Sequence, residues 1–151
     1  MRIVDVMSPN VVTIGLDETC ARALARMTRW KVRHLPVLDA DGTLRGVVTD
    51  RDLRHHLLAL GVLERVGGTP EMRLLEQQPV HAVMSTPAVW LQVSADLQEA
   101  VGLMRRHRVG SLPVLDGGKI VGILTETDLL RHLVSAEAPR GPELDFIVSY
   151  P

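Results

Sequence analysis

The sequence predicts an α/β (α+β) fold made of two β-α-β-β-α repeats packed about a pseudo-twofold axis, and three observations carry that reading. The first is internal repetition, which sets the fold before any local pattern is read. A shift of 77 positions lays Val6-Met7-Ser8 on Val83-Met84-Ser85, and Leu35-Pro36-Val37-Leu38-Asp39 on Leu112-Pro113-Val114-Leu115-Asp116. With one residue deleted in the following turn, a shift of 76 lays Gly46-Val47-Val48-Thr49 on Gly122-Ile123-Leu124-Thr125, Asp52-Leu53 on Asp128-Leu129, and His56-Leu57 on His132-Leu133. The second is a helical apolar period in each copy. The third is a pair of β-rich runs after it, joined by a glycine turn.

Each copy opens on a short apolar run, Val11 to Ile14 or Val89 to Val93, which reads as a strand. Asp17 and Ser94 follow as N-cap candidates. Cys20, Ala23, Leu24 and Met27 then recur at i, i+3, i+4 and i+7, as do Leu97, Ala100, Val101 and Met104, so each copy carries an amphipathic helix with one buried face. Two β-rich runs come next, joined by Asp39-Ala40-Asp41-Gly42 in the first copy and Asp116-Gly117-Gly118 in the second, both hairpin signals. A second helix closes each copy, near Asp50 to Leu60 and Glu126 to Val134. Between the copies, Gly61 to Pro79 breaks most clearly at Gly67-Gly68-Thr69-Pro70, with a helical turn expected over Glu71 to Glu76. Beyond Ala138, Phe146-Ile147-Val148 is expected to add a strand or an arm to a neighbour. A unit of this kind cannot cover all its own faces. Two copies bury those faces against each other and leave two related clefts between them.

Composition narrows the function. Apolar residues are 46% of 151 but aromatics only 3%, so the core is aliphatic, with Met and Ala. The 17 basic and 18 acidic residues leave a net charge of −1, without the basic excess that phosphate-neutralising nucleic-acid binders show. No nucleic acid and no membrane is expected as a partner. The single Cys20 excludes an intramolecular disulfide framework and suits a reducing compartment. Its apolar helix position, matched by Leu97, reads as core. No secretory pattern is visible at Met1-Arg2-Ile3-Val4-Asp5 and no apolar run approaches a membrane span, so a soluble cytoplasmic chain is expected. No phosphate loop, nucleophile elbow or paired catalytic carboxylate is present. His55, His56 and His132 lack the spacing of a metal set. The run Arg105-Arg106-His107-Arg108 reads as a helix end with solvated charges, and contact with a phosphate or a partner is the lesser alternative.

The order Val-Met-Ser, amphipathic helix, Leu-Pro-Val-Leu-Asp, Gly-x-x-Thr-x-x-Asp-Leu, occurring twice, resembles a tandem pair of CBS domains, a Bateman module. On that resemblance the organisation is repeat one over 1–60, a linker over 61–79, repeat two over 80–135 and a tail over 136–151. The resemblance implies a regulatory module that senses AMP, ADP or ATP in the clefts between the repeats. It implies no catalytic residue, metal or cofactor, so the chain is not expected to be an enzyme. It also implies a disc-shaped homodimer through faces bearing Leu57, Leu58, Leu60 and Leu133, and a regulated protein acting in trans. The alternatives are a sensor of S-adenosylmethionine or NAD, or a ligand-free interaction and dimerisation module.

Thr49 and Asp52, like Thr125 and Asp128, stand at a strand end and one turn into a helix. A carboxylate there can accept from both hydroxyls of a ribose, and the threonine hydroxyl and helix-start N–H groups can meet phosphate oxygens. The same Thr-x-x-Asp spacing is also a helix capping box, and the sequence leaves both roles open. The resemblance further implies an adenine slot in each copy. Met7, Ser8, Val12, Val32, Arg33 and His34 would form the first, and Met84, Ser85, Val89, Val109, Gly110 and Ser111 the second. Each slot would be completed by the other copy's acid, Asp128 for the first and Asp52 for the second. For Met7 and Met84 ordinary core packing is an equal alternative. Because Arg33-His34 stands where the other copy has Gly110-Ser111, the first slot is expected to prefer the more highly charged ligand. Arg51, opposite Thr127, is the residue that could charge the second.

Overall fold

The computed structural model describes residues 1–59 and 70–136. In chain order the elements are β1 (Ile14–Gly15), α1 (Cys20–Trp30), β2 (His34–Leu38), β3 (Leu44–Thr49), α2 (Asp50–Ala59), α3 (Pro70–Gln77), β4 (Leu91–Gln92), α4 (Leu97–His107), β5 (Ser111–Asp116), β6 (Lys119–Thr125) and α5 (Glu126–Ala136). Two 3-10 turns, Ile3–Asp5 and Val80–Ala82, precede the two copies of the pattern. Strand order is β1-β2-β3 in one sheet and β4-β5-β6 in the other. In each, the first strand runs parallel to the second and the second antiparallel to the third. Both hairpins carry the same irregularity, between Val37 and Leu38 and between Val114 and Leu115. The mixed α/β fold of two related units is the one that the repeat predicts.

The opening strands are shorter than their apolar runs. Only Ile14–Gly15 and Leu91–Gln92 reach the ladder, while Val12 and Val89 pack on the cores from outside it. The helix caps also differ from expectation. Thr19, not Asp17, caps α1, its Oγ1 accepting from Arg22 N at 3.2 Å; Asp96, not Ser94, caps α4 and accepts from Glu99 N at 2.9 Å. The cause is long-range. Thr19 bridges Pro79 and Asp96 bridges Arg2, which keeps the chain extended up to the residue before each helix. Both helices end in a left-handed residue, Lys31 (φ 53°) and Arg108 (φ 54°).

Two clusters form the core. Ile14, Cys20, Ala23, Met27, Leu35, Val37, Val48 and Leu53 of the first copy gather with Leu75 and Val80. Leu91, Ala95, Ala100, Met104, Leu112, Val114 and Leu124 of the second gather with Ile3. The segments leading into the copies are therefore exchanged. Ser8 N and Ile123 N exchange hydrogen bonds with each other's carbonyls at 2.9 Å, while Ser85 N donates to Val47 O at 2.9 Å and Cys20 N to Gln78 O at 2.8 Å. Residues near the N-terminus complete the second core, and residues 75–85 complete the first. Neither core closes on one copy alone, which is the physical reason for the duplication.

The crossing segments need glycine beneath them. A Cβ at Gly46 would fall 2.6 Å from Ser85 O and 2.8 Å from Met84 Sδ, and one at Gly122 2.5 Å from Met7 Sδ. Met7 and Met84 thus fill the notches over Gly122 and Gly46. The helical turn expected at Glu71 to Glu76 is the longer α3, whose Leu75 is buried against the first core. The break at Gly67-Gly68-Thr69 and the Phe146-Ile147-Val148 arm lie outside the described residues. Among the described residues, no helix is long and apolar enough to cross a membrane.

Candidate functional site

β3 runs directly into α2, and β6 into α5, so each strand end is also a helix start with unsatisfied N–H groups. The Thr-x-x-Asp pairs satisfy some of them reciprocally. Thr49 N donates to Asp52 Oδ2 at 2.9 Å and Asp52 N to Thr49 Oγ1 at 3.1 Å. In the second copy Thr125 N donates to Asp128 Oδ2 at 2.9 Å and Asp128 N to Thr125 Oγ1 at 3.2 Å. There the Thr125 hydroxyl also donates to Asp128 Oδ2, at 2.8 Å. The capping boxes are formed, but each uses one carboxylate oxygen only. Among the described residues nothing hydrogen-bonds to Oδ1 of Asp52 or Asp128; the nearest cation to the latter is Arg131 Nη1 at 4.0 Å. A carboxylate has acceptor positions on both oxygens. Capping and ligand binding are therefore compatible.

The residues before each Leu-Pro are tied to the same helix starts. Asp50 N donates to Arg33 O at 3.1 Å and Glu126 N to Gly110 O at 3.0 Å. This pinning places two clefts at the junction of the copies. Cleft one, about 350 Å³, brings Ser8, Val12, Val32, Arg33 and His34 together with Thr125 and Asp128 of the other copy. Cleft two, about 760 Å³, brings Ser85, Val89, Val109, Gly110 and Ser111 together with Thr49, Arg51 and Asp52. Both volumes fall in the range of small-molecule sites, roughly 300–1,000 Å³. Met7 and Met84 line neither cleft; they are held in the glycine notches.

Arg33 and His34 line both clefts, as do Gly110 and Glu126. The dipeptide therefore does not charge the first cleft alone, as its place in the alignment suggests. Burial first, and then the neighbouring Arg33, hold the His34 imidazole below its ordinary pKa of 6.5, against the pull of Asp50, Glu126 and Asp52. Both effects favour the neutral imidazole. Gly110 leaves the space into which these groups converge: a Cβ there would lie 3.4 Å from Glu126 Oε2 and 3.5 Å from His34 Nε2.

Several further cations line the clefts. Lys31 and Arg131 belong to cleft one, and Arg54, Arg105 and Arg108 to cleft two. The basic run at Arg105 is a helix end with exposed side chains, as its pattern indicates, yet Arg105 and Arg108 reach the cleft wall. The 77-residue shift contains a signal for two of these, since it superposes Lys31 on Arg108, each the left-handed cap before its slot. Among the described residues no group of His, Cys, Asp and Glu is placed to hold a metal ion.

A twice-repeated β-α-β-β-α unit with exchanged entry segments and two paired clefts defines a tandem-repeat module. The sequence matches the CBS domain family over residues 3–59 and 80–135, and the chain belongs to that family as a CBS pair. A CBS domain-containing protein of Dictyostelium discoideum is 36% identical over 138 residues, covering 91% of this chain and 94% of its own. Hypoxic response protein 1 of Mycobacterium tuberculosis is 30% identical over 129 residues, covering 85% of this chain and 82% of its own. A CBS domain pair solved in complex with 5′-methylthioadenosine and S-adenosylmethionine superposes with a TM-score of 0.75, covering 91% of this chain and 98% of its own. At 19% identity it is a likeness of fold.

Proposed function

We propose that this CBS pair senses adenosine nucleotides, AMP, ADP or ATP, in its two inter-repeat clefts and passes their occupancy to a regulated protein in trans. The observation that carries the reading is the uncommitted Oδ1 of Asp52 and of Asp128, each in a cleft whose far wall is the other copy's valine-bearing slot. A ribose diol supplies the donors that such a carboxylate lacks. Val12 with Val32, and Val89 with Val109, can flank a purine without asking it for polar partners. Arginine suits the phosphates because its planar fork matches their oxygens. That a protein of the same fold was solved with two adenosine-containing ligands supports the choice of ligand class.

A thermal-shift screen against AMP, ADP, ATP, S-adenosylmethionine and NAD tests the reading. A ligand at 100 times its Kd adds about 2.7 kcal/mol of stability. No shift with any of the five contradicts the proposal and leaves the capping boxes as the whole explanation of Thr-x-x-Asp. Of the leucines expected on the dimer face, Leu58 and Leu133 are exposed, Leu57 packs against the first core and Leu60 lies outside the described residues; with Leu130 and Val134, also exposed, the first two are within this proposal the surface of a homodimer.

A further inference from the structure

The two clefts share an architecture but not a charge. Arg33 serves both. Cleft one adds Lys31 and Arg131, and the latter faces Asp128 Oδ1 at 4.0 Å. Cleft two adds Arg51, Arg54, Arg105 and Arg108, of which Arg54 is held by Asp50 Oδ2 at 3.0 Å. Among the described residues, the guanidinium groups of Arg51, Arg105 and Arg108 have neither a carboxylate within ion-pair distance nor a hydrogen-bonded partner. Three guanidinium groups free of ion pairs in one concave wall, which also holds the carboxylates of Asp50, Asp52 and Glu126, attract anions more strongly than separated surface charges do.

The difference originates in the copies' sequences. Arg51 stands opposite Thr127, Arg105 opposite Thr28 and Arg54 opposite Leu130; only Arg108 has a basic counterpart, Lys31. Arg33, His34 and Gly110 line both clefts, and cleft two is the roomier, about 760 Å³ against about 350 Å³. The shared wall pushes the same way. Two polyphosphate chains meeting at one Arg33 would repel each other, and one chain opposite a ligand of low charge would not.

We propose that the clefts are specialised by charge. Cleft two takes the adenosine ligand with a di- or triphosphate chain, and cleft one takes an adenosine ligand with one phosphate or none. This rests on the adenosine reading above and assigns the ligand to each site within it. Arg51, Arg105 and Arg108 are the residues that read the chain.

Calorimetric titration of the full chain with AMP, with ATP and with inorganic tripolyphosphate tests it. Wild type, Asp52→Asn, Asp128→Asn, Arg51→Thr and Thr127→Arg are compared, the last two exchanging the residue that differs between copies. The tight ATP site should disappear with Asp52→Asn and persist with Asp128→Asn. Arg51→Thr should weaken ATP about tenfold more than AMP, an increment of about 1.4 kcal/mol. Thr127→Arg should strengthen ATP at cleft one by a similar factor. Loss of the ATP site with Asp128→Asn instead, or an equal loss of AMP and ATP with Arg51→Thr, overturns the assignment. If no adenosine ligand binds, the parent reading fails, and tripolyphosphate decides the rest. Arg51-dependent binding of tripolyphosphate upholds cleft two as a polyphosphate site, and no binding removes it.

Discussion

Arg108→Gly should make the protein more stable and a poorer binder of ATP, because the two effects reside in different parts of one residue. The backbone of Arg108 is left-handed, with φ 54° and ψ 44°, a conformation that costs an L-residue roughly 1–2 kcal/mol. Glycine is free of that cost but has more backbone entropy to lose on folding, roughly 0.5–1 kcal/mol relative to alanine. The guanidinium is exposed and, among the described residues, makes no ion pair, so removing it forfeits no intramolecular contact of that kind. The balance is a gain of about 0.5–1 kcal/mol, read by calorimetry as a Tm higher by about 1–4 °C for a chain of this length. The cap hydrogen bond from Arg108 N to Met104 O survives, since glycine keeps its N–H. In the same sample ATP affinity should fall about tenfold, the low end for a charge-assisted hydrogen bond. A lower Tm would mean that the side chain supports the fold, and unchanged ATP affinity would mean that it does not reach the ligand. Either result refutes the separation. Lys31→Gly offers an internal control, with the same backbone geometry and the same expected gain in Tm.

Asp52→Ala and Asp128→Ala should each cost about 1 kcal/mol of stability by breaking a capping box, whereas Asp→Asn at either position retains an acceptor and costs less; chemical denaturation distinguishes the pairs. The pH dependence follows from His34. Its folded pKa lies below 6.5, so its contribution is fully present above that value and is lost as pH falls towards the folded pKa. His34→Asn should flatten the Tm profile in that window, and an unchanged profile would show that burial of the imidazole is not what drives it. Gly46→Ala should cost about 1–3 kcal/mol through overpacking and more than Gly122→Ala. Its Cβ meets a backbone carbonyl at 2.6 Å, while the closest atom at Gly122 belongs to the flexible end of Met7. On the dimer proposal, wild type should sediment as a dimer at micromolar concentration and Leu133→Arg, at a position 55% exposed, as a monomer.

The fold was legible because its information is periodic and occurs twice. The hairpin turns fall where glycine signalled them, with Gly42, Gly117 and Gly118 all at positive φ. The helix faces follow the apolar spacing at Cys20, Ala23 and Met27. What escaped the sequence is what depends on partners far along the chain. Thr19 and Asp96 are caps because Pro79 and Arg2 bridge to them, and no local pattern reports those contacts. Ile3 and Val80 lie in short 3-10 turns, and nothing near them says that each docks on the opposite copy. The pairing of each slot with the other copy's acid was implied by the family resemblance, but the alignment put Arg33 and His34 in one cleft where they line both. Arg51 and Arg105 come from different copies and meet only when the sheets pack, and Arg33 stands at a wall that both clefts share.

The most direct test of the central claim compares ATP with 2′,3′-dideoxy-ATP by calorimetry on wild type and on Asp52→Asn. The two nucleotides carry the same base and phosphates and differ only in the hydroxyls assigned to the free carboxylate oxygen. The account predicts that wild type binds the dideoxy form about tenfold or more weakly, the magnitude of a hydrogen bond to a charged group, and that Asp52→Asn largely removes the difference. Equal affinity of wild type for both nucleotides would contradict it.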